Sequence, residues 1–415
     1  EQENNNSWYE QKAEEQLNNF DKIEKLRADT SSAVTVEHLS LPVNSQFSEF
    51  GGFQQGENKL YFTSVQPLLS DGEDGLLGNS FLSSLYASEF TNSGLSRPVQ
   101  VAEPLGSKTK HTANICFNND GSEVWFNRCE MSGEYKYRCD IYNARLENGR
   151  WTYPEKILIN AEEYTSTQPH FCVDSAENEI LYFVSDRPGG VGQLDIWFSV
   201  RKDGKYNAPT NLGSIVNSPG NEITPFYDDE SGKLYFSSDW YYGLGGYDVF
   251  YSAGSFSDWK TPENAGKPIC SPANDFYFNI NDVDRDGYFT SNREGSYYFK
   301  GETCCNDLYA YYGQKSVKTD TVPQPKDTVI VVNEIRSKME DLLPLDLYFH
   351  NDIPDPRSRD TVTLSTYDET YYSYMAMIDR YKKEYAKGLS GDEAYNAEAG
   401  IEVFFLAYVT NGFKK

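Results

Sequence analysis

The chain has 415 residues, of which 38% are hydrophobic and 15% aromatic, with 32 Tyr and 24 Phe. This usage suits pleated, half-buried surfaces and points to an all-β protein, and the length leaves room for two or three domains around a large core. A formal net charge of −26 repels phosphate backbones and excludes nucleic acid as a partner. No run of about 18 apolar residues is present to cross a bilayer as a helix.

The chain opens Glu1-Gln2-Glu3 without a secretory signal, like a mature or trimmed start. Residues 1–30 predict a helix. Ser7 with Glu10 makes a capping box, and Ala13, Leu17, Phe20, Ile23 and Leu26 fall on one stripe that needs a surface to dock on.

From residue 31 to 314 one pattern recurs. An aromatic strand reads Leu60-Tyr61-Phe62, Val124-Trp125-Phe126, Leu181-Tyr182-Phe183, Leu234-Tyr235-Phe236 and Gly287-Tyr288-Phe289. A second follows at Leu85-Tyr86, Asp140-Ile141-Tyr142, Asp195-Ile196-Trp197, Asp248-Val249-Phe250 and Asp307-Leu308-Tyr309. A closing edge appears at Leu95/Pro98, Trp151/Pro154, Tyr206/Pro209 and Trp259/Pro262, the prolines lying 56, 55 and 53 residues apart. Such a step fits a four-stranded unit, which cannot bury both faces alone and must pack radially on its copies. The pattern predicts a mainly β fold, a five-bladed β-propeller, with a sixth, degenerate blade as the alternative.

The fifth unit lacks a last strand. Leu39–Ser45 aligns without a gap with Leu212–Ser218, and Ile269-Cys270-Ser271 takes the same place one unit on. Each is followed four residues later by an acid: Glu49, Glu222 and Asp275. Residues 34–45 are therefore expected to supply the missing strand and close the ring, removing two open sheet edges.

Seven cysteines leave at least one without an intrachain partner. Cys129 and Cys139 flank one hairpin and form a candidate disulfide, which would suit an oxidising compartment; buried free thiols are the alternative. Cys116 and Cys172 are expected to share one position on adjacent inner strands. No CxxC occurs and the four histidines show no ligand spacing, so no metal site is expected. Asp282, Asp284 and Asp286 copy half a calcium loop, but Arg293 stands where the last carboxylate is needed, so a hairpin turn is expected there.

Asp140, Asp195, Asp248 and Asp307 recur at one repeat position, which points to a structural role: bonding backbone amides, or the arginine of a neighbouring turn (Arg187, Arg293). Trp240-Tyr241-Tyr242 is the densest aromatic cluster of the inter-strand loops and the candidate partner-binding site, with plain packing as the alternative. There is no GxSxG and no HExxH, so no catalytic residue, no cofactor and no enzyme activity is expected. The many carboxylates would suffice for a glycosidase pair, but abundance is not geometry.

Residues 315–341 read as a linker, polar with two prolines early on. Residues 342–415 predict a strand at Leu345–Phe349, a helix capped by Thr366 and Glu369 running through Lys387 with Gly388 as its stop, and a second helix within Asp392–Thr410.

The repeat, seen best in LYFVSDRPGGVGQLDIWFSV (181–200) and LYFSSDWYYGLGGYDVFYSA (234–253), resembles the WD-like propeller repeat of the TolB type. The stretch LPLDLYFHNDIPDPRSRDT (343–361) with the helix after it resembles the opening of a divergent OmpA-like domain, a partial α/β region incomplete at Lys415. The resemblance implies a periplasmic, outer-membrane-associated protein related to type 9 secretion and gliding components. Its propeller would dock partners of an envelope complex, as a non-catalytic scaffold. Its OmpA-like region would tether to peptidoglycan through residues beyond Lys415, since the family's Asn-x-x-Leu-Ser-x-x-Arg pattern is not found here. The alternative function is a propeller that binds or hydrolyses glycans.

Overall fold

The computed structural model describes residues 2–29, 34–45, 47–69, 76–91, 94–132, 137–281, 285–297, 306–313 and 378–391, with 394, 398 and 401. The chain divides into two units, Glu1–Lys315 and Ser316–Lys415.

The first unit carries five antiparallel sheets, the blades of a propeller. From the axis outward, blade 1 holds Ser48–Gln55, Lys59–Leu69 and Leu76–Thr91, and blade 2 holds His111–Phe117, Glu123–Met131 and Tyr137–Glu147. Blade 3 holds Ser166–Val173, Glu179–Ser185 and Asp195–Lys202; blade 4 holds Glu222–Asp228, Lys233–Ser238 and Asp248–Ser255. Blade 5 holds Asp275–Ile280, Gly287–Ser291 and Asp307–Tyr312. Five is the blade number, and no sixth blade is seen among the described residues. The outer strand of blades 1 to 4 is split at its proline, which has no amide to give a ladder. In blade 3, Lys205–Tyr206 and Thr210–Asn211 pair separately with Asp195–Lys202 on either side of Pro209.

The second strand of each blade shows why the aromatic triplets recur. In a blade both sheet faces are covered by neighbours, so the strand reads as a continuous apolar run rather than an alternation. In blade 3, Leu181 and Phe183 pack with Trp125, Ile141 and Phe171 toward blade 2. Ile180, Tyr182 and Val184 pack with Leu234, Phe236 and Phe250 toward blade 4. Three further clusters of this kind fill the remaining junctions between blades.

Blade 5 takes its outer strand from the start of the chain. Thr35–His38 pairs antiparallel with Asp307–Tyr312, His38 lying opposite Tyr309. This strand is shorter than the 34–45 expected. Leu39–Ser45 leaves the sheet and turns into blade 1, and Leu212–Ser218 makes the same turn between blades 3 and 4. The shared sequence thus encodes the connection, not the strand. Its asparagine staples the turn to the sheet the chain has just left. Asn44, fully buried, accepts from the Leu308 amide at 2.8 Å and donates to the Leu308 carbonyl at 2.9 Å. Asn217 binds the Ile196 backbone likewise at 2.8 and 3.0 Å, and Asn160 binds Ile141 at 2.9 and 2.8 Å. Val43 seals this seam among Leu60, Phe62, Tyr288 and Leu308.

The N-terminal segment forms two helices, α1 (Gln2–Asn18) and α2 (Phe20–Ala28), broken at Asn19. Because α1 begins at Gln2, Ser7 lies inside it and not at its start. The predicted apolar stripe is also divided. Ile23 is buried against the propeller, whereas Leu17 and Phe20 stay exposed.

In the second unit the described helix is α3, Ile378–Tyr385, followed by Gly388 at φ +88°. The left-handed geometry suits a glycine after a helix end. Residues 394, 398 and 401 are helical. The linker, the 345–349 strand, the Thr366/Glu369 cap, Asp282 and Asp284 lie outside the described residues.

The Asn44 staple joins sequence positions 264 residues apart. Asn44→Ala leaves the buried Leu308 amide without an acceptor, a loss of roughly 2–3 kcal/mol. A calorimetric melting midpoint unchanged by this substitution would contradict that assignment.

Candidate functional site

Every inner strand slips register once, after Phe50, Ala113, Thr167, Ile223 and Phe276. The residue at the slip takes a positive φ: Gly51 +64°, Asn114 +58°, Gln168 +50°, Thr224 +54° and Tyr277 +56°. Only the first is a glycine, and each of the others is strained by roughly 1–2 kcal/mol. The slip turns each amide toward the preceding blade. Gly51 N donates to Thr290 Oγ1 at 3.2 Å, Asn114 N to Thr63 Oγ1 at 3.1 Å and Gln168 N to Asn127 Oδ1 at 3.4 Å. Thr224 N donates to Gln168 Oε1 at 2.8 Å and Tyr277 N to Thr224 Oγ1 at 3.2 Å. The five bonds run once round the axis and close on themselves.

Tyr277 lies across this ring. Its hydroxyl accepts from Gln168 Nε2 at 3.3 Å, and its ring passes so near Gly51 that a β-carbon there would sit 3.5 Å from it. The axis is therefore blocked, with a void of about 50 Å³ beside Tyr277 that no described carboxylate lines.

Toward the far ends of the inner strands the axis opens again, into a cavity of about 210 Å³. Phe53, Phe117 and Phe226 supply ring surfaces, and Gln54, Asn118 and Asp229 are among its polar lining. Asp228 in this wall is gripped by Arg285 at 2.7 and 2.6 Å. Burial works against its charge, but these bonds hold its carboxyl below the usual range. His170 is pushed down to about 4 by burial and is neutral near pH 7, giving its Nε2–H to the Tyr227 carbonyl at 3.2 Å. The cavity wall is thus polar but holds no buried, unpaired cation. Among the described residues no group of three or more His, Cys, Asp or Glu is placed to hold a metal.

The opposite end of the axis is built differently. Glu49, Glu222 and Asp275 begin inner strands there and are each at most 1% exposed. Glu49 accepts from Ser45 N at 2.9 Å and Ser64 Oγ at 2.6 Å, and Glu222 from Ser218 N and Ser238 Oγ, both at 2.7 Å. Burial pushes Glu49 up to about 8 and Glu222 up to about 7. Sealed between strands, these acids brace the blade entrances and do not face a cavity.

The recurrent aspartates hold loops. Asp195 accepts from the Val191 and Gly192 amides, and Asp248 from Leu244 and Gly245, both at 2.9 Å. The glycines of these loops are required by that fit: a β-carbon at Gly190 would lie 2.2 Å from the Asp195 carboxylate, and one at Gly243 2.1 Å from that of Asp248. Asp307 accepts from Tyr297 N and pairs with His38, each at 2.6 Å, while Asp140 pairs with Arg138 and Lys156. Arg187 and Arg293 serve elsewhere. Arg187 donates to the Ile159 carbonyl at 3.0 Å, and Arg293 to the Pro268 and Ile269 carbonyls at 2.8 and 2.6 Å, each tying a second strand to the incoming connection.

Cys129 and Cys139 are cross-strand partners joined by a disulfide, and Cys116, Cys172 and Cys270 are buried free thiols. Cys116 and Cys172 do not share a position. Cys116 pairs with Trp125 and its blade 3 counterpart is His170, opposite Tyr182, because the first hairpin of blade 3 is longer.

Trp240, Tyr241 and Tyr242 do not form an open surface, because the chain's own helices sit on them. The Trp8 indole donates to the Pro219 carbonyl at 3.1 Å and meets Trp240 edge-on at 5.5 Å. Lys12 reaches the Trp240 carbonyl, Gln16 the Tyr241 carbonyl at 3.2 Å, and Lys22 stands 4.8 Å over the Tyr242 ring. Tyr241 turns inward onto Phe250 and donates to the Val216 carbonyl at 3.0 Å.

No protein-family model matches the sequence, the TolB-type and OmpA-like families included, and no curated protein matches it. Solved structures do. An α-L-arabinofuranosidase from Lactobacillus brevis is similar at 11% identity and a TM-score of 0.41, over 65% of this chain and 92% of its own. A thermostable family-43 glycoside hydrolase is similar at 11% and 0.42, over 69% and 98%. An endo-arabinase from Bacteroides thetaiotaomicron is similar at 14% and 0.39, over 66% and 96%. At such identities the likeness shows the fold alone. One expectation is nevertheless withdrawn, that of no enzyme activity: the similar solved structures include glycoside hydrolases and a peptidase. It rested on missing nucleophile motifs, and glycoside hydrolysis needs only two carboxylates, which leave no motif.

The sealed glutamates give the ring a pH dependence. Between the ordinary carboxylate range and about pH 8 the folded chain keeps protons on Glu49 and Glu222 that the unfolded chain has released. Their contribution to stability is whole at acid pH and falls as pH rises through about 7 and 8. Melting midpoints from pH 5 to 8.5 should decline less in a Glu49→Gln, Glu222→Gln double variant than in the parent; parallel profiles would refute this.

Proposed function

We propose that the propeller acts on carbohydrate and takes a sugar ring in the 210 Å³ axial cavity. The observation that carries this reading is the lining itself: ring faces from Phe53, Phe117 and Phe226 beside the amides and acids of Gln54, Asn118 and Asp229. A sugar offers a C–H face that packs on aromatic rings and hydroxyls that both donate and accept. Carboxamides carry a donor and an acceptor in one plane; here Gln54 also bonds Gly56, Asn281 and Tyr288, and Asn118 bonds Ser122 and Glu123, which fixes their orientation in the wall. Phosphorylated ligands fit poorly, since Asp228 and Asp229 line the wall of a chain whose net charge is −26. The cavity is smaller than the roughly 300–1,000 Å³ of ordinary small-molecule sites, which favours one sugar ring at a chain end over a polymer lying across the site.

Asp228 is committed to Arg285, so Asp229 is the lining acid best able to meet a hydroxyl or a glycosidic oxygen. Calorimetric titration with pentoses, hexoses and their short oligosaccharides should give saturable binding. Asp229→Asn should weaken it roughly ten-fold, one good charge-assisted bond, without moving the melting midpoint, because Asp229 is exposed. Incubation with arabinan, xylan and galactan then asks whether recognition leads to hydrolysis. No binding heat and no sugar release across the panel would end this reading.

A further inference from the structure

A surface helix ordinarily turns its apolar stripe to the core and its polar side to water. The N-terminal helices do the reverse over most of their length. Their inward contacts include directed polar ones, the Trp8, Lys12 and Gln16 side chains bonding to backbone carbonyls of Pro219, Trp240 and Tyr241, with the Trp8 ring on Trp240 and the buried Ile23 as apolar anchors. Facing away from the propeller, Tyr9, Leu17 and Phe20 are 65%, 73% and 55% exposed. With the exposed Ala13, Tyr9 and Leu17 follow the i, i+4, i+8 spacing of one face of α1, and Phe20 adds an exposed ring at the start of α2. The directed bonds fix which face points outward, so the apolar row is held in place and cannot roll inward.

We propose that this outward face is a docking surface for a protein groove with an apolar floor and a rim of Lys or Arg. The spacing is that of helix-in-groove recognition, where one row of side chains supplies the anchors. The rim chemistry follows from charge. Glu10, Glu14 and Asp21 are exposed and border the row on one side. A second copy of this helix would set those acids against their like. An anionic bilayer would repel them, and helices that lie on membranes carry Lys and Arg at this border instead. A basic rim complements them and speeds encounter. This inference stands apart from the carbohydrate reading, since the helices lie on the loops around Pro219 and Trp240, at the other ends of the blade 4 strands from the cavity.

The test places a photo-crosslinking residue at position 17 of the full chain and irradiates it in native extract. The captured protein is then purified and its affinity measured against variants. Leu17→Glu and Phe20→Glu should each weaken binding at least roughly ten-fold, as loss of an anchor does. Glu14→Lys should weaken it a few-fold, by a margin that shrinks at high salt. All three should keep the parental melting midpoint, because the side chains are exposed. The proposal fails if no adduct forms, if the adduct is a second copy of this chain or a lipid, or if the captured protein binds every variant equally.

Discussion

The fold depends on one closed circuit of hydrogen bonds. Five bulged backbone positions, four of them strained, point their amides at the blade before them, and each is satisfied only if that blade is in place. A positive φ at Asn114, Gln168, Thr224 or Tyr277 is unfavourable alone. It persists because the neighbouring blade supplies the acceptor. The ring is therefore cooperative by construction, and the seam between blades 5 and 1 is where the cooperation meets the chain's two distant ends. There the Thr35–His38 strand, the Asn44 staple and the Glu49 clasp all lie between Thr35 and Glu49.

Much of this was legible in the sequence. The aromatic triplets are there because both faces of each middle strand are buried, and that requirement repeats five times with little variation. The circuit was harder to see. Its members are Gly51, Asn114, Gln168, Thr224 and Tyr277, five residue types meeting one geometric need, so no pattern marks them. A partial signal existed in the polar residue after the aromatic triplet, Thr63, Asn127, Ser237 and Thr290, which is buried in each case. A polar group that recurs inside a core must have a partner, and three of these four accept a bulge amide.

The misreadings share a cause. Leu39–Ser45 looked like a strand because its sequence repeats, but a connection repeats as faithfully as a strand when the same asparagine must staple it. The helical stripe from Ala13 to Leu26 looked like a single docking face, because periodicity says which residues share a face and not which way the face points. The backbone carbonyls of Pro219 and the Trp240 loop decide that, and they select Trp8, Lys12 and Gln16. The axial cavity was invisible for a similar reason: its lining comes from strand ends of several blades, each with an unremarkable local sequence.

Tyr277 carries a last consequence. By lying across the axis it turns a tunnel into a blind pit. Whatever enters must leave by the mouth it came through, and the water it displaces has to escape past it. Traffic through the molecule is ruled out, so residence time is governed at one doorway, formed by the hairpin turns at a single end of the barrel of blades.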